Sequence, residues 1–402
     1  MKVVVVGSGA REHALAWRLA QCAGLSELHA APGNPGIAQL GRCHPVRAED
    51  GDGLLALART LDADLVVVGP EAPLVAGVAD ELRRNGVAVV GPSADAARIE
   101  GSKSFAKEVM RAAGVPTAEQ LSVARLPCVV KADGLAAGKG VFVCRTAGEL
   151  DEALRSVTAL GGGVVIEELL EGDEVSLLAL SDGRNVVPLP PAQDFKRAGD
   201  GDVGPNTGGM GAYSPVPWLA DVDALVDAVH RPVVAELARR GTPFVGCLFA
   251  GLMITAAGPR VLEFNARLGD PETQVLMPRL DGDLLELLVA TARGDLAGAE
   301  ARVRQDAAVT VVLAAPDYPA RSDYAGVAID GIEQAEADGA VVFQGGTAVR
   351  DGQLVTHGGR ILSVTATGAT VEAAREGAYR AVERVRFEGA RFRRDIAAVA
   401  GG

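Results

Sequence analysis

The chain has 402 residues, which is more than one hydrophobic core usually holds, so about two to four domains are expected. It is 48% apolar, 23% charged and only 4% aromatic, which is typical of a globular protein with few rings for stacking on nucleic-acid bases. The formal net charge of -13 repels polyanions. The composition therefore excludes nucleic acid as a partner, and any phosphate ligand needs local lysines and backbone N–H groups.

Cysteine usage and hydropathy predict the cellular compartment of the protein. The five cysteines are odd in number and scattered, with no CxxC pair and no metal-ligand spacing to the five histidines. This pattern predicts reduced thiols in the cytoplasm. The apolar start VVVV breaks at Gly7 and is predicted to be a strand rather than a secretion signal. No apolar run approaches the ~20 residues that span a bilayer, so no membrane partner is expected.

The chain divides by pattern into three predicted units. Residues 1–102 alternate short β-branched runs with helical patterns, which predicts a parallel α/β unit. Residues 103–325 begin with the helical stretch SKSFAKEVMRAAG, continue through a small α+β lid subdomain at about 123–190, and end in a larger block with the hairpin GLMITAAGPRVLEFN. Residues 326–402 are predicted to form another small α+β unit. The fold class is thus α/β and α+β, multidomain.

The first glycine loop lies between a predicted strand and a predicted helix. Gly7, Ser8 and Gly9 resemble a dinucleotide fingerprint, but Glu12 occupies the third glycine position. The acid expected after the next strand is also missing from LHAAPGNPG. The pattern argues against NAD. The loop is either a site for one phosphate at a helix N-terminus or a tight turn that binds nothing.

A second glycine loop, KADGLAAGKG, spans residues 131–140. It is not a Walker loop, because no Ser or Thr follows Lys139 and the next segment, VFVCR, is a strand. A glycine hairpin between two strands can fold over a triphosphate, with amides and Lys139 as donors and Lys131 on the adjacent strand. The alternative is an ordinary hairpin with solvated lysines.

Downstream, VVIEELLEGDEV places two predicted strands at an acidic bend. Such a bend can meet an adenine with its backbone N–H and C=O groups, while a carboxylate such as Glu174 accepts from ribose hydroxyls. The alternative is a solvated turn.

The segment VLEFNARLGDPE carries the candidate metal ligands. Strand alternation places Glu263, Asn265 and Arg267 on one face, with Leu262 and Phe264 on the other. Magnesium typically takes few protein oxygen ligands plus nucleotide phosphates, and an arginine suits a phosphoryl group in transfer. The alternative is a surface strand with a polar face.

Taken together and in order, the motifs GSGAREHAL, APGNPG, VGPEAPLVAGVAD, EGSKSFAK, KADGLAAGKGV, GPNTGGMGAYSP, EFNARLGDPETQ and THGGRILSVTA resemble the glycinamide ribonucleotide synthetase family of ATP-grasp enzymes. REHAL, GPEAPL and NTGGMGAYSP are typical of that family rather than of ATP-grasp enzymes in general. The resemblance implies a Rossmann-like N-terminal domain, an ATP-grasp fold that holds ATP between two halves, and a small C-terminal α+β domain.

The resemblance also implies roles for individual residues. Those implied for ATP are Lys103, Lys131, Gly138, Lys139, Gly140, Glu167, Glu168, Leu170 and Glu174. Glu263 and Asn265 are implied as ligands of Mg²⁺ or Mn²⁺, and Arg267, Asp270 and Lys139 as catalytic residues. Substrate contacts are implied for Gly7, Ser8, Gly9, Glu71, Asp194, Lys196, Arg197, Gly358, Gly359 and Arg360.

The activity implied by the resemblance is ligation of glycine to 5-phosphoribosylamine in purine biosynthesis. ATP would activate the glycine carboxylate as glycyl phosphate, and the amine would then displace phosphate. No nucleophilic side chain is required, in agreement with the absence of a Ser/His/Asp or Cys/His set. A monomer is expected. Two alternatives remain at this point: another ATP-grasp carboxylate–amine ligase or carboxylase, or a nucleotide-binding protein without turnover.

Overall fold

The computed structural model describes residues 1–135 and 140–398. Among the helices in these ranges, none combines the length and the apolar character that crossing a membrane requires.

The N-terminal unit is a parallel sheet with the strand order β3–β2–β1–β4–β5. Its elements are β1 Lys2–Gly7, α1 Ala10–Leu19, β2 Glu27–Pro32, β3 Arg42–Cys43, α2 Gly51–Leu61, β4 Leu65–Val68, α3 Glu71–Val75, α4 Val78–Arg84, β5 Val89–Val90 and α5 Ala94–Gly101. Val3 to Val6 are all buried because helices cover both faces of a parallel sheet. The predicted parallel α/β unit is confirmed.

The next unit is small and antiparallel. Its elements are α6 Lys103–Ala113, β6 Cys128–Asp133, β7 Val141–Cys144, α7 Ala147–Leu160 and β8 Gly163–Glu168. The sheet order is β7–β6–β8, and α7 packs on it over a separate core that includes Val130 and Val157. Helix α6 ends at Gly114, which has φ +69° and so takes the left-handed conformation that glycine accepts without strain.

A second antiparallel sheet, with the order β10–β9–β15–β16, follows. This part of the chain contains β9 Asp173–Asp182, β10 Val186–Pro188, β11 Gln193–Asp194, β12 Arg197–Gly199, β13 Val203–Asn206, β14 Gly211–Ser214, α8 Val222–Arg239, β15 Val245–Thr255, β16 Gly258–Asn265, α9 Glu272–Arg279 and α10 Leu284–Arg293. The predicted hairpin is β15–β16, which closes at Thr255 and Gly258.

One detail of β16 differs from the prediction. Gly251 pairs with Glu263 and Leu252 with Val261, so Leu262 is an extra residue in a β-bulge. Val261 and Phe264 are therefore the buried residues, and Leu262 does not share the buried face with Phe264 as simple alternation predicted. The bulge turns the Leu262 carbonyl toward Lys131, whose Nζ lies 2.9 Å from it.

The C-terminal part contains β17 Ala307–Ala314, β18 Tyr324–Ala328, α11 Ile332–Ala337, β19 Val341–Gln344, β20 Thr347–Arg350, β21 Gln353–Gly358, β22 Arg360–Gly368 and α12 Val371–Val382. Its main sheet has the order β11–β14–β17–β22–β19, so strands from both sides of residue 325 share it. Strands β18, β21 and β20 form a smaller sheet. The domain bounds 1–102, 103–325 and 326–402 stay a prediction.

Candidate active site

The two lysines predicted to contact nucleotide phosphates lie side by side, although 28 positions separate them. Ser102 and Ser104 at the start of α6 donate to the Asp133 carboxylate at 3.1 and 3.3 Å, which docks the KADG turn onto the helix. Lys103 Nζ then lies 3.2 Å from the Gly134 carbonyl, next to the strand that carries Lys131. Burial lowers the pKa of Lys103, which still faces the carboxylates of Glu263 and Asp133.

Lys131 is held by a buried network of charges. The Glu167 carboxylate, whose side chain is 3% exposed, lies 2.6 Å from Lys131 Nζ and 2.7 Å from Lys107 Nζ. Lys107 also donates to the Thr117 hydroxyl and the Ala118 carbonyl, so its three N–H groups are all occupied. Lys131 bonds Glu167 and the Leu262 carbonyl, and one of its N–H groups has no acceptor among the described residues.

Lys107 was missed by the sequence analysis. Its signal was its position four residues after Lys103 in SKSFAKEV, because residues four apart share one face of a helix. Glu167 was predicted at the adenine hinge, and the structure directs its side chain to the two lysines. Its backbone pairs with Val129 in the small sheet, and its contact with an adenine stays a prediction.

The acidic bend joins β8 to β9. Glu168 accepts from the Glu119 backbone N–H at 2.9 Å, and Leu170 lies in the connection that follows. Gly172 has φ +156°, and a Cβ there would overlap the Ile254 carbonyl, so the bend requires glycine. Glu174 begins the next sheet and pairs with Lys196 at 3.0 Å. The bend therefore brings Glu174 to the same side as β16, the strand that carries the candidate metal ligands Glu263 and Asn265.

Glu263 and Asn265 lie at the end of β16, as predicted. The Glu263 side chain is 38% exposed and lies 3.9 Å from Lys196 Nζ. Burial opposes its ionisation, but Lys196, Lys131 and other cations outweigh that effect and lower its pKa. Within the described ranges no group of three or more His, Cys, Asp or Glu side chains could hold a metal by itself. A cation here would therefore need oxygens from a ligand besides Glu263 and Asn265, which is typical of magnesium bound with a nucleotide.

We use the name nucleotide cleft for this group of residues: Lys103, Lys131, Glu167, Glu174, Glu263 and Asn265.

Arg267 follows the metal strand and is enclosed by carboxylates. Its Nη2 lies 2.9 Å from Glu100 and its Nε 3.2 Å from Glu71. Nη2 also donates to the Asn265 Oδ1 at 3.2 Å. Burial favours the neutral guanidinium, but Glu100 and Glu71 outweigh it and raise the pKa of Arg267. Glu71, predicted as a substrate contact, thus has Arg267 as its partner in this structure.

Asp194 and Lys196 lie beside the cleft in the QDFKR segment. Burial raises the pKa of Asp194 to about 7, and the Glu272 and Glu174 carboxylates act in the same direction. Glu272 is buried at the start of α9 and accepts from the Ser176 hydroxyl at 2.9 Å.

Arg197 donates to the Gly204 carbonyl within the β12–β13 hairpin, so the structure does not bring it to these carboxylates.

The side chain of Glu12, the residue at the third glycine position of the fingerprint, lies under the first glycine loop. The Glu12 carboxylate accepts from the Gly9 N–H at 2.6 Å and from Arg11 Nε at 2.6 Å. A Cβ on Gly7 or on Gly69 would overlap the Glu12 side chain. The carboxylate therefore occupies the space under the loop. The Ser8 carbonyl accepts from Asn34 at 2.8 Å.

Beyond this loop lies a cavity of about 200 Å³ between the N-terminal unit and the C-terminal sheet. We use the name inter-domain pocket for its lining, which is Gly9, Ala10, Asp270, Gly345, Gly346, Arg360, Leu362 and Ser363. Arg360 Nη2 pairs with the Asp270 carboxylate at 2.9 Å, and Nη1 donates to the Asp270 and Gly208 carbonyls. The pocket thus combines a guanidinium, a carboxylate and the N-terminus of α1.

Gly358 and Gly359, predicted as substrate contacts, are close-packed beside this pocket. A Cβ on Gly358 would lie 2.9 Å from the Gly346 Cα, and one on Gly359 would lie 2.7 Å from the Tyr318 ring. Gly345 and Gly346 line the pocket and were not predicted. Their signal was the GG pair directly after the strand VVFQ.

The predicted lid lies partly outside the described residues. Gly138 and Lys139 fall in the gap at 136–139, whereas Gly140 is described and its carbonyl accepts from the Ala132 N–H at 2.8 Å.

Three family models match the chain. They are the phosphoribosylglycinamide synthetase N domain over residues 1–100, the ATP-grasp (A) domain over 101–273 and the C domain over 308–399.

Known proteins resemble the chain over its whole length. It is 54% identical over 419 residues to the phosphoribosylamine–glycine ligase of Streptomyces coelicolor, with 100% of both chains covered. It is 48% identical to the corresponding ligase of Mesorhizobium japonicum, covering 98% of this chain and 97% of that protein. The crystal structure of the Thermotoga maritima phosphoribosylamine–glycine ligase superposes with a TM-score of 0.86 at 36% identity, covering 99% of this chain and 100% of that one. Thermotoga maritima N5-carboxyaminoimidazole ribonucleotide synthetase shares the fold at 17% identity, with a TM-score of 0.65 over 96% of this chain and 99% of that one.

Proposed function

The chain belongs to the phosphoribosylglycinamide synthetase family and is an ATP-dependent ligase of glycine and phosphoribosylamine in purine biosynthesis; on this premise we propose that it works through glycyl phosphate. The observation that carries the proposal is the continuity of one segment. Glu263 and Asn265 end β16 in the nucleotide cleft, and Asp270, five residues after Asn265, lines the inter-domain pocket. A phosphate donor and an amine substrate would therefore meet along residues 263–270.

In the nucleotide cleft, ATP would lie between the small sheet and β16. Lys103 and Lys131 would contact its phosphates, which is supported by the N–H of Lys131 that has no acceptor within residues 1–135 and 140–398. The backbone of residues 167–170 would meet the adenine, and Glu174 would accept from the ribose. The predicted lid contacts of Gly138, Lys139 and Gly140 stay part of the proposal.

The donor set at the end of β16 fits a divalent cation. Glu263 supplies a carboxylate whose pKa is lowered, and Asn265 supplies an amide oxygen that Arg267 holds in place. We assign Mg²⁺ or Mn²⁺ to these two residues, where the ion would neutralise charge on the ATP phosphates. Arg267 orients Asn265 and is itself fixed by Glu71 and Glu100.

Phosphoribosylamine would enter the inter-domain pocket with its phosphate toward the N-terminus of α1 and Arg360. A helix N-terminus and a guanidinium both favour a phosphate group. Asp270 also lines this pocket and would face the amine. Asp194 and Lys196, which lie beside the cleft, would contact the glycine side of the reaction. Contacts of the substrate with Gly7, Ser8, Gly9, Arg197, Gly358 and Gly359 stay predictions.

The chemistry has two steps. A glycine carboxylate oxygen attacks the terminal phosphorus of ATP, and ADP leaves. The amine of phosphoribosylamine then attacks the acyl carbon, and phosphate leaves with that same oxygen. The protein acts by positioning and by charge neutralisation, since the lysines of the cleft face the phosphates on which charge develops.

Isotope transfer tests the glycyl phosphate route. Glycine labelled with heavy oxygen in its carboxylate is supplied with ATP and phosphoribosylamine, and the inorganic phosphate is analysed by mass spectrometry. One labelled oxygen per turnover is expected in the phosphate. Unlabelled phosphate throughout the reaction contradicts the route and assigns activation to the ribose partner.

A substrate screen tests which carboxylic acid and which amine the enzyme joins. ADP release should require glycine and phosphoribosylamine together. Release with another acid in place of glycine would favour another ATP-grasp ligase or a carboxylase. The monomeric state and the cytoplasmic location stay predictions.

A further inference from the structure

Two motifs, REHAL and APGNPG, have no role in the chemistry above. Their central residues, His13 on α1 and Asn34 after β2, are both buried, with 7% and 8% of their surface exposed. The structure places both against the backbone of one residue of the C-terminal sheet, Gln344 at the end of β19.

Gln344 forms hydrogen bonds to the N-terminal unit through both its backbone N–H and its backbone carbonyl. Its N–H donates to Nδ1 of His13 at 2.8 Å, and its carbonyl accepts from Nδ2 of Asn34 at 2.6 Å. Because Nδ1 of His13 is the acceptor, the proton of the neutral ring lies on Nε2. A Cβ on Gly36, the last residue of APGNPG, would overlap the His13 ring, so this glycine makes room for the ring.

These bonds connect the two walls of the inter-domain pocket. Gln344 directly precedes Gly345 and Gly346, which form the C-terminal wall. Asn34 also donates to the Ser8 carbonyl at 2.8 Å, next to Gly9 and the N-terminal wall. Phe343 packs edge-on against His13 at 5.6 Å and against Trp17 at 5.9 Å between ring centroids.

We propose that His13 and Asn34 are positioning residues for phosphoribosylamine, because they fix the distance between the Gly9–Ala10 wall and the Gly345–Gly346 wall. The inference rests on the proposed function, in which this pocket takes the ribosyl phosphate. Neither residue contacts the nucleotide cleft in this assignment. A change at either position should therefore affect one substrate and leave the other two unaffected.

Three variants of His13 separate hydrogen bonding from packing. In His13→Asn the side-chain oxygen takes the place of Nδ1 and keeps an acceptor for Gln344, whereas His13→Gln moves the oxygen one bond further and His13→Leu removes it. The Gln and Leu variants should raise KM for phosphoribosylamine about tenfold, since one lost hydrogen bond and a displaced wall together weaken binding by about that factor. KM for ATP and for glycine should change less than about twofold. His13→Asn should recover most of the loss.

Asn34→Asp gives an independent test that preserves shape. The aspartate keeps an oxygen for the Ile37 N–H, which Asn34 Oδ1 accepts at 2.9 Å, and loses the donor to Gln344 and Ser8. The same selective rise in KM is expected. His44→Asn serves as the matched control, because the His44 ring pairs with His29 in the same unit.

A binding measurement removes dependence on turnover. In a Trp218→Phe background, Trp17 is the remaining indole of the chain, and its fluorescence should respond to ribose 5-phosphate. The His13→Leu variant should require about tenfold more of this probe for half of the response.

The outcomes are distinguishable. If the wild-type protein fails to ligate glycine to phosphoribosylamine, the proposed function is wrong. If the wild type is active and the variants raise KM for all three substrates together, or for none, the positioning role is overturned. Equal behaviour of His13→Leu and His13→Asn also overturns it, because packing alone would then explain the position.

Discussion

The nucleotide cleft and the inter-domain pocket lie at the two ends of residues 263–270 and are built differently. In the cleft, charged side chains hold one another, as Lys107 and Lys131 do on the Glu167 carboxylate. The pocket is lined by the Arg360–Asp270 ion pair and by residues of two units, and neutral hydrogen bonds from His13 and Asn34 hold the two walls together. Loss of one charge in the cleft changes the charge balance of its buried partners, whereas loss of one bond in the pocket changes a distance. The two regions should therefore fail in different ways.

The largest effect is expected in the cleft, at Glu263. Glu263→Gln keeps the volume and removes the charge of the assigned metal ligand, so kcat should fall about a thousandfold, equivalent to about 4 kcal/mol. Activity is measured against magnesium concentration, with a thermal melt to verify the fold. The matched control is Glu171→Gln, an exposed carboxylate in the acidic bend. Normal turnover with magnesium equal to ATP would remove Glu263 from the metal site.

Lys107 should show the cost of breaking the buried network. Lys107→Met leaves Glu167 with one cation, and loss of the Lys107 hydrogen bonds should destabilise the protein by about 1–3 kcal/mol. The melting temperature should fall and KM for ATP should rise, because Lys131 then compensates Glu167 alone. The double variant Lys107→Met with Glu167→Gln should recover part of the stability. Additive losses in the double variant would show that the two residues act separately.

The stability of the fold in acid should report the neutral state of the buried His13 ring. Burial lowers the pKa of His13 to about 4, against 6.5 for an ordinary histidine. Between these values the unfolded chain binds a proton that the folded state does not, so folding stability falls as pH drops from 6.5 to about 4. The loss from one such histidine is on the order of 3 kcal/mol. His230, also buried and with its pKa lowered to about 4, contributes a similar loss in another part of the fold.

His13→Asn removes one of these two histidines. Its melting temperature should therefore depend less steeply on pH than that of the wild type over this window. Parallel curves for the two proteins would contradict the assignment of a buried neutral His13.

The smallest effect is expected at Arg360. Arg360→Lys keeps the charge and loses the fork that reaches Asp270 and the Gly208 carbonyl together. KM for phosphoribosylamine should rise about tenfold, or about 1.4 kcal/mol, with KM for ATP unchanged. Steady-state kinetics with each substrate varied separately provides the measurement. An equal rise for ATP would mean that Arg360 supports both regions rather than the pocket.

Much of the cleft could be predicted from sequence, because its chemistry is local. Glu263 and Asn265 are two residues apart on a strand, and strand geometry alone places both on one side. The composition of the KADG and EELLEGDE segments predicts strands and turns. The parallel N-terminal sheet followed for the same reason, since runs of valine bounded by glycine are a local signal.

Tertiary structure alone decided which distant groups meet. Nothing near Glu167 in the sequence indicates that Lys107, 60 positions earlier, shares its carboxylate, and nothing near Asn34 indicates Gln344, 310 positions later. The bulge at Leu262 also depends on pairing with β15, because the β16 sequence alone does not show which residue is left unpaired. Periodicity reports which face of an element is apolar, but long-range partners are set by how complete units pack, and that information is spread over the whole chain.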